Sequence, residues 1–196
     1  MRQKNRYEKI RIMNLFENFD VTDLTFRKPP ADNSLTTFKE LQELNNLKLD
    51  KDFVVQKDNI IDNFEKINSA AGLDFPKNEI TKLQNDSTSV IKNLKNYFNR
   101  PRPKELANNL GVSMENVELK SMKTPSYPSG HSAQSKLIAK VLTDKYPQLR
   151  EQYNKEAEDI SNSRNIGRAH YRSDSKFGQE VGERMYEYLK NNKYAL

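Results

Sequence analysis

The sequence of 196 residues contains no cysteine, only two histidines and only six glycines. The absence of cysteine excludes disulfide bonds, thiolate metal ligands and cysteine nucleophiles, and two histidines argue against a His-rich metal site. No apolar run approaches the roughly 18 residues that cross a bilayer, and polar residues interrupt the basic N-terminus before a secretory apolar segment can form. These absences predict a soluble, cytoplasmic protein. A periplasmic or secreted location would require that a leader has been removed.

Basic residues exceed acidic ones by 33 to 27, which gives a formal charge of +6. A positively charged protein favours an acidic partner such as nucleic acid, a membrane surface or a phosphorylated small molecule. The charges are mixed along the chain, so they do not form the concentrated basic patch that is typical of nucleic-acid binding. Charge alone therefore favours an anionic ligand no more than it favours general solubility.

The pattern of apolar residues predicts an all-α fold, a helical bundle of six to eight helices in one domain at 1–196. Few stretches alternate between apolar and polar residues, and the scarcity of glycine also argues against a sheet protein. An N-terminal helix at 5–18 and an extended connector at 21–33 make up the first part, 1–33. The helical core is predicted to follow at 34–196.

Caps and prolines set the predicted boundaries of the core helices. The sequence Thr37-Phe38-Lys39-Glu40 is a capping box, which opens the first of them. The segment Arg100-Pro101-Arg102-Pro103 must end the third, because proline cannot continue a helix. Ser173 or Asp174 caps the last one. The helices are predicted at about 37–47, 50–72, 77–99, 104–111, 132–146, 148–170 and 174–189.

Three clusters of basic or histidine residues stand out, each at the end of a predicted helix. They read K-x6-R-P at 95–103, P-S-G-H at 128–131 and S-R-x5-H-x3-D at 163–174. Alone, the second cluster arises by chance in about one chain in a thousand of this length, and the other two look like ordinary surface charges. Both histidines of the chain fall within these clusters.

In order and spacing, the clusters resemble the three motifs shared by type 2 phosphatidic acid phosphatases, bacterial class A acid phosphatases and vanadium haloperoxidases. The resemblance covers about residues 95–174, and every fixed position is filled. The local sequences look most like those of the soluble class A acid phosphatase branch. The six-residue gap from Lys95 selects Arg102, rather than the neighbouring Arg100, as the motif arginine. The resemblance implies an acid phosphatase that acts without a metal ion.

The residues of these clusters suit the binding of a phosphate monoester. Three cations, Lys95, Arg102 and Arg164, can neutralise the charge that builds up on the phosphoryl oxygens during transfer. Ser129 and Gly130 begin a helix, and the free N–H groups of the 129–131 turn can donate to the same oxygens. These five residues are the predicted phosphate ligands.

The two histidines are predicted to have different roles, and the resemblance implies the same division. His170 attacks phosphorus through a neutral ring nitrogen and forms a phosphohistidine, while Asp174 fixes its tautomer. His131 protonates the leaving alcohol and then activates water. Nearby cations favour a neutral His170 and Asp174 opposes them, so the sequence leaves its protonation open. No metal or other cofactor is implied, and vanadate is expected to inhibit by mimicking phosphate.

Three other interpretations stay open at this level. A vanadium haloperoxidase would hold vanadate on His170 as its cofactor, although its known relatives are much larger. The lack of a spanning segment disfavours an embedded lipid phosphatase but leaves peripheral contact with a membrane open. A non-enzymatic protein could bind nucleic acid through the basic arm at 2–11, or sense phosphate, but the first of these leaves both histidines unexplained. The main expectation is a small phosphomonoester substrate and no nucleic-acid partner.

Overall fold

The computed structural model describes residues 14–194, and every regular element in that part of the chain is a helix. The α-helices are α1 (Thr22–Thr25), α2 (Leu35–Asn46), α3 (Lys51–Gln56), α4 (Ile60–Ala70), α5 (Lys77–Phe98), α6 (Pro103–Asn109), α7 (Gly130–Lys145), α8 (Arg150–Ile166) and α9 (Arg172–Asn191). Short 3-10 helices cover Lys120–Lys123 and Pro147–Leu149. Apart from the four-residue α1, eight α-helices are present in 14–194, which confirms the predicted all-α bundle.

Helix α7 lies at the centre of the fold, where it packs against α4, α5, α8 and α9. The main core is formed by apolar side chains of these helices, including Ile80, Leu83, Leu94, Leu137, Ile138, Leu142, Tyr153, Ile160, Val181 and Met185. A smaller cluster joins α2 and α6 to the start of α9 through Leu41, Leu44, Leu106, Ala107, Met114 and Tyr171. None of the helices within 14–194 combines the length and the apolar character needed to cross a membrane.

Two glycines allow the backbone of α9 to come into direct contact with the backbone of α7. A Cβ atom on Gly178 would lie 2.5 Å from the carbonyl oxygen of Ser129, and one on Gly182 would collide with the carbonyl oxygen of Ala133. Only a residue without a side chain fits at such distances. The close approach lets the Ser129 N–H donate to the Asp174 carbonyl oxygen at 3.0 Å. The start of α7 is therefore joined directly to the first turn of α9.

Several predicted boundaries in the first part of the chain are wrong. The helix predicted at 5–18 lies mostly outside the described residues, and its described end, 14–18, is largely a turn. The predicted connector at 21–33 contains the short helix α1. Helix α2 is capped by Ser34, whose Oγ accepts from the Thr37 N–H at 3.2 Å, so Thr37 lies inside the helix. A serine with extended backbone satisfies this N–H before the predicted cap is reached.

The single helix predicted at 50–72 is two helices, α3 and α4, separated by residues 57–59. Asp50 caps α3, and the side chain of Asn59 caps α4. Asparagine favours such positions because its side chain competes for backbone N–H groups. The break has a consequence for the site, because Asp58 lies within it.

Helix α8 ends at Ile166 instead of the predicted His170, because the chain turns at Arg168. The φ of Arg168 is 55°, which lies in the left-handed region that a right-handed helix cannot include. Its guanidinium holds the turn by donating to the carbonyl oxygens of Leu44, Asn45, Leu47 and Glu115. This arginine fastens the end of α2 to the turn.

The cap of α9 also differs from the prediction. Tyr171 is the cap residue, and neither Ser173 nor Asp174 occupies that position. Asp174 instead lies in the first turn and accepts from the Tyr171 N–H at 3.1 Å through Oδ2. His170 therefore lies in a short loop between α8 and α9, so neither helix determines the direction of its side chain.

Candidate active site

A cavity of about 290 Å³ lies between α5, the start of α7 and the α8–α9 loop. Five of the predicted site residues line it: Lys95, Arg102, Gly130, His131 and His170. The other three, Ser129, Arg164 and Asp174, do not contribute to the lining. The remaining wall residues are Thr88, Ile91, Lys92, Lys120, Ser121, Lys123, Thr124 and Gln134. Within the described part of the chain, no carboxylate lines this cavity.

His170 is held between a carboxylate and a guanidinium. Its Nδ1 lies 3.3 Å from Oδ2 of Asp174, and its Nε2 lies 3.2 Å from Nη1 of Arg102. Ser126 Oγ donates to the same Asp174 oxygen. A guanidinium can only donate, so the geometry assigns the lone pair to Nε2 and the proton to Nδ1. This is the tautomer that presents an unprotonated nitrogen on the cavity side.

The ionisation states of this pair follow from burial and neighbouring charge. The pKa of His170 lies well below its ordinary value, because burial and the charge of Arg102 disfavour the imidazolium more than Asp174 favours it. Burial alone would raise the pKa of Asp174, but the hydrogen bond with His170 and the charge of Arg100 lower it. These shifts favour a neutral histidine that faces an ionised carboxylate, on the point that the sequence left open.

Asp174 is completely buried and is anchored by Arg100. Arg100 Nη1 donates to Asp174 Oδ1 at 2.7 Å, and Nη2 donates to Oε2 of Glu40 at 3.1 Å. Thus Arg102 lies in the cavity wall, whereas Arg100 lies behind the histidine and orients its carboxylate. Sequence reasoning missed Arg100 and Glu40, whose pairing depends on how α2 packs beside α9.

Arg102 connects three parts of the cavity wall. Its Nε donates to the Thr124 carbonyl oxygen at 2.9 Å, and its Nη2 donates to that of Ser121 at 3.3 Å. Its Nη1 donates to the Ala169 carbonyl oxygen at 2.8 Å as well as contacting His170. The guanidinium therefore fixes the 120–124 segment relative to the α8–α9 loop.

Lys95 is a buried lysine whose bonding partners are carbonyl groups. Its Nζ donates to the carbonyl oxygen of Pro125 at 2.5 Å and to that of Ser126 at 3.4 Å. Burial and repulsion by Arg102 lower the pKa of Lys95 to about 7. An anion in the cavity would raise this pKa again, because a nearby opposite charge favours the ammonium form.

His131 is paired with a carboxylate that sequence reasoning did not identify. Its Nε2 lies 3.1 Å from Oδ1 of Asp58 and 3.1 Å from the Asp58 carbonyl oxygen. Asp58 Oδ1 also accepts from Nη1 of Arg164 at 2.7 Å. The Arg164 guanidinium also donates to the Val54 carbonyl oxygen at 2.9 Å and to Ser163 Oγ at 3.0 Å. Arg164 is thus connected to His131 through Asp58.

The Asp58 contacts shift the pKa values of both partners. The hydrogen bond with His131 and the charges of His131 and Arg164 lower the pKa of Asp58 to about 2. Burial lowers the pKa of His131, and the charge of Arg164 adds to this, while Asp58 opposes it. The only local signal for Asp58 was the sequence Asp58-Asn59, which is unfavourable inside a helix.

The start of α7 offers fewer free donors than the sequence predicts. The Ser129 N–H donates to the Asp174 carbonyl oxygen and is therefore occupied. Ser129 Oγ in turn accepts from the Ser132 N–H at 3.4 Å. In the 129–131 turn the N–H groups of Gly130 and His131 are the ones left without an acceptor from the described chain. These two donors lie at the helix end that favours anions.

Comparison with known proteins identifies the class. The sequence model of the PAP2 superfamily matches residues 83–185, slightly more than half of the chain. This range includes all three clusters. The chain therefore belongs to the PAP2 superfamily.

Individual relatives point to one branch of that superfamily. The chain is 38% identical over 88 residues to a non-specific acid phosphatase of Salmonella typhi and 36% identical over 88 residues to one of Salmonella typhimurium. Each match covers 45% of this chain and 35% of the relative. The matched part is thus only about a third of the length of these curated relatives.

The described residues also bear on metal binding. In 14–194 no group of three or more His, Asp or Glu side chains is arranged to hold a metal ion. Asp58 and Asp174, the carboxylates closest to the two histidines, are each held by an arginine. The charge that faces the cavity itself comes from lysine and arginine.

Proposed function

We propose that this chain hydrolyses phosphate monoesters through a phosphohistidine on His170, without a metal ion. One observation carries the proposal: Asp174 holds Nδ1 of His170, so that the lone pair of Nε2 lies at the cavity wall beside Arg102. The family, and the names of the two acid phosphatase relatives, support the same class of reaction.

The transferred phosphoryl group would bind among cations and N–H donors. Lys95, Arg102 and the N–H groups of Gly130 and His131 surround the place that it would occupy. Its charge would restore the ammonium form of Lys95, whose pKa is about 7 in the unliganded site. The same positive charge repels a divalent cation, which supports a reaction in which lysine and arginine neutralise the phosphate.

Formation of the phosphohistidine is the first chemical step. The phosphate oxygens take over the Arg102 N–H that contacts Nε2, and this frees the lone pair of His170 for attack. A P–N bond forms as the bond between phosphorus and the alcohol oxygen breaks, while the Nδ1 proton stays between His170 and Asp174. The charge of the bound phosphate favours the imidazolium of His131, whose pKa burial lowers in the unliganded site. This imidazolium gives its proton to the departing oxygen.

Hydrolysis of the phosphohistidine is the second step. Neutral His131 accepts a proton from water, the water oxygen attacks phosphorus, and the P–N bond breaks to release phosphate and regenerate His170. In this scheme Asp58 holds Nε2 of His131, so that Nδ1 is the nitrogen that exchanges protons. Arg164 acts through Asp58. A direct contact between Arg164 and phosphate, which the sequence predicts, would require phosphate to replace that carboxylate.

A hydrolysis assay with p-nitrophenyl phosphate, with and without EDTA, tests this proposal. We expect equal rates in both conditions, and an acid-labile phosphoenzyme that yields phosphohistidine when the reaction is quenched with alkali. Activity abolished by EDTA would contradict the metal-free step. Bromide oxidation with peroxide and vanadate, in place of phosphate release, would identify a haloperoxidase and overturn the proposed function.

A further inference from the structure

Three lysines at the edge of the cavity have no part in the proposed reaction. Lys92 is on α5, while Lys120 and Lys123 are on the 3-10 helix, and all three are exposed residues that line the cavity. We refer to them as the rim lysines. No carboxylate of the described chain forms an ion pair with any of them, whereas other lysines, such as Lys57 and Lys77, have such partners.

The geometry of α5 places Lys92 beside the phosphate site. Thr88, Ile91, Lys92 and Lys95 all line the cavity and recur at helical spacing, so that one stripe of α5 forms this wall. Lys92 and Lys95 are three residues apart, so their side chains lie on the same face of the helix.

The 3-10 helix presents the other two rim lysines together. Side chains three residues apart are eclipsed in a 3-10 helix, so Lys120 and Lys123 project from the same side. Arg102 holds this segment through the carbonyl oxygens of Ser121 and Thr124. The position of these lysines is therefore coupled to the guanidinium that is proposed to bind the transferred phosphate.

The remaining space in the cavity is suited to a small leaving group. A volume of about 290 Å³ corresponds to roughly ten water molecules, at about 30 Å³ each. A phosphoryl group with its ester oxygen has only five heavy atoms, so room is left beside it. No Phe or Tyr side chain of the described residues lines the cavity, so only the two histidines of the proposed reaction could stack against a base or another ring.

We propose that the rim lysines form a subsite for a second phosphoryl group, so that the preferred substrates are small bisphosphates. This proposal rests on the proposed function, because the first phosphoryl group is the one transferred to His170. Each exposed lysine contributes modestly to binding. Together we expect the three to favour a bisphosphate by about tenfold in kcat/KM at low ionic strength.

The test compares substrates that differ by one phosphoryl group, fructose 6-phosphate and fructose 1,6-bisphosphate. We expect the wild type to show a ratio of kcat/KM well above the twofold advantage of having two ester groups, and this ratio to fall with added KCl. In the variant Lys92→Gln/Lys120→Gln/Lys123→Gln the ratio should drop to about two. The control Lys39→Gln/Lys48→Gln/Lys66→Gln removes the same charge from exposed positions away from the cavity, and it should keep the wild-type ratio.

Several outcomes would overturn the subsite. A wild-type ratio of about two, or a rim variant with the wild-type ratio, would refute it while the phosphatase proposal stands. If the control variant lost as much of the kcat/KM ratio as the rim variant, the preference for a bisphosphate would come from the net charge of the protein and not from the rim lysines. If the rim variant lost binding to phosphatidic acid vesicles but kept the ratio, the lysines would serve a membrane surface instead. If neither the sugar phosphates nor p-nitrophenyl phosphate is hydrolysed, the proposed function fails, and calorimetric binding of the two sugar phosphates still tests the lysines.

Discussion

The two histidine–aspartate pairs of the site have similar contacts, but the chain builds them in different ways. His170 and Asp174 are four residues apart, and the Asp174 side chain is 0% exposed. His131 and Asp58 are separated by 73 residues, and the Asp58 side chain is 39% exposed. In each pair an arginine holds the carboxylate, Arg100 for the first and Arg164 for the second.

The difference in burial matches the roles proposed for the two pairs. A buried, ionised Asp174 keeps its histidine in one tautomer and one charge state, as a nucleophile requires. A half-exposed Asp58 lets its histidine exchange protons with substrate and water, as a general acid and base requires. The environment of each carboxylate, and not the presence of a histidine–aspartate contact, would therefore separate the two proposed functions.

Replacing the nucleophile should have the largest effect. His170→Ala removes the atom that forms the P–N bond, so we expect kcat to fall by about 10⁴-fold or more. Alkaline quenching followed by ³¹P NMR should show no phosphohistidine. Near wild-type hydrolysis of p-nitrophenyl phosphate by this variant would mean that His170 is not the attacking residue.

Replacing the other histidine should slow the reaction but leave the site able to bind phosphate. We expect His131→Ala to lower kcat by about 10³-fold, within the range for general acid–base catalysis. The loss should be greater for an alkyl phosphate than for p-nitrophenyl phosphate, whose leaving group needs no proton. Vanadate inhibition constants should stay within about threefold of the wild type, and a uniform loss with both substrates would argue against the acid role.

Neutralising either carboxylate should affect both stability and activity, because each one is the partner of a buried arginine. Asp174→Asn leaves Arg100 buried with only Glu40 as a counterion, so we expect a loss of about 3 kcal/mol in the free energy of unfolding as well as low activity. Asp58→Asn leaves the buried Arg164 without its carboxylate partner, so we expect a loss of stability of about 3 kcal/mol here too, but a fall in kcat of only about tenfold. Urea unfolding and steady-state kinetics of both variants provide the measurement. An equal loss of activity in the two variants would remove the distinction between the pairs.

Measuring kcat and vanadate affinity in an Arg164 variant distinguishes a role through Asp58 from direct contact with phosphate. Arg164→Lys keeps the positive charge but cannot hold Asp58 and the Val54 carbonyl oxygen at once. If Arg164 acts through Asp58, kcat should fall by about tenfold while vanadate affinity changes little. A tenfold loss of vanadate affinity would instead indicate direct contact with phosphate.

The pH dependence of anion binding should be the mildest of these effects. The pKa of Lys95 is about 7, so its charge is present below pH 7 and is lost as the pH rises through that value. Sulfate, which keeps a constant charge in this range, should bind about eightfold more weakly at pH 8 than at pH 6.5. Calorimetric titration of the wild type and of Lys95→Arg tests this, because the arginine variant should show little change. A flat wild-type profile would contradict the depressed pKa.

The sequence predicts those helices and contacts of this molecule that depend on residues close together along the chain. The long helices α5 and α7 follow from apolar periodicity and from prolines or caps, all of which act within one turn. The His170–Asp174 contact was predictable for the same reason, since its members are four residues apart. The break at 57–59 was missed because apolar residues continue through it as in one helix, and this concealed Asp58.

The arginines show why the rest could not be predicted. Arg100, Arg102, Arg164 and Arg168 are all buried, yet only Arg102 lines the cavity. The other three bind carboxylates or carbonyl groups from α2 or from the 54–58 segment, both distant in sequence. A guanidinium satisfies either kind of partner, so its role is set by which segments pack around it and not by its neighbours along the chain.

The close packing of α9 on α7 has a consequence for how the site tolerates mutation. Because Gly178 and Gly182 let the two backbones touch, the spacing between the helix start that bears His131 and the turn that bears Asp174 is set by main-chain atoms. No compensating side-chain change can restore that spacing once a Cβ atom intervenes. In a saturation screen these two glycines should therefore be as intolerant as the histidines, although neither touches the cavity.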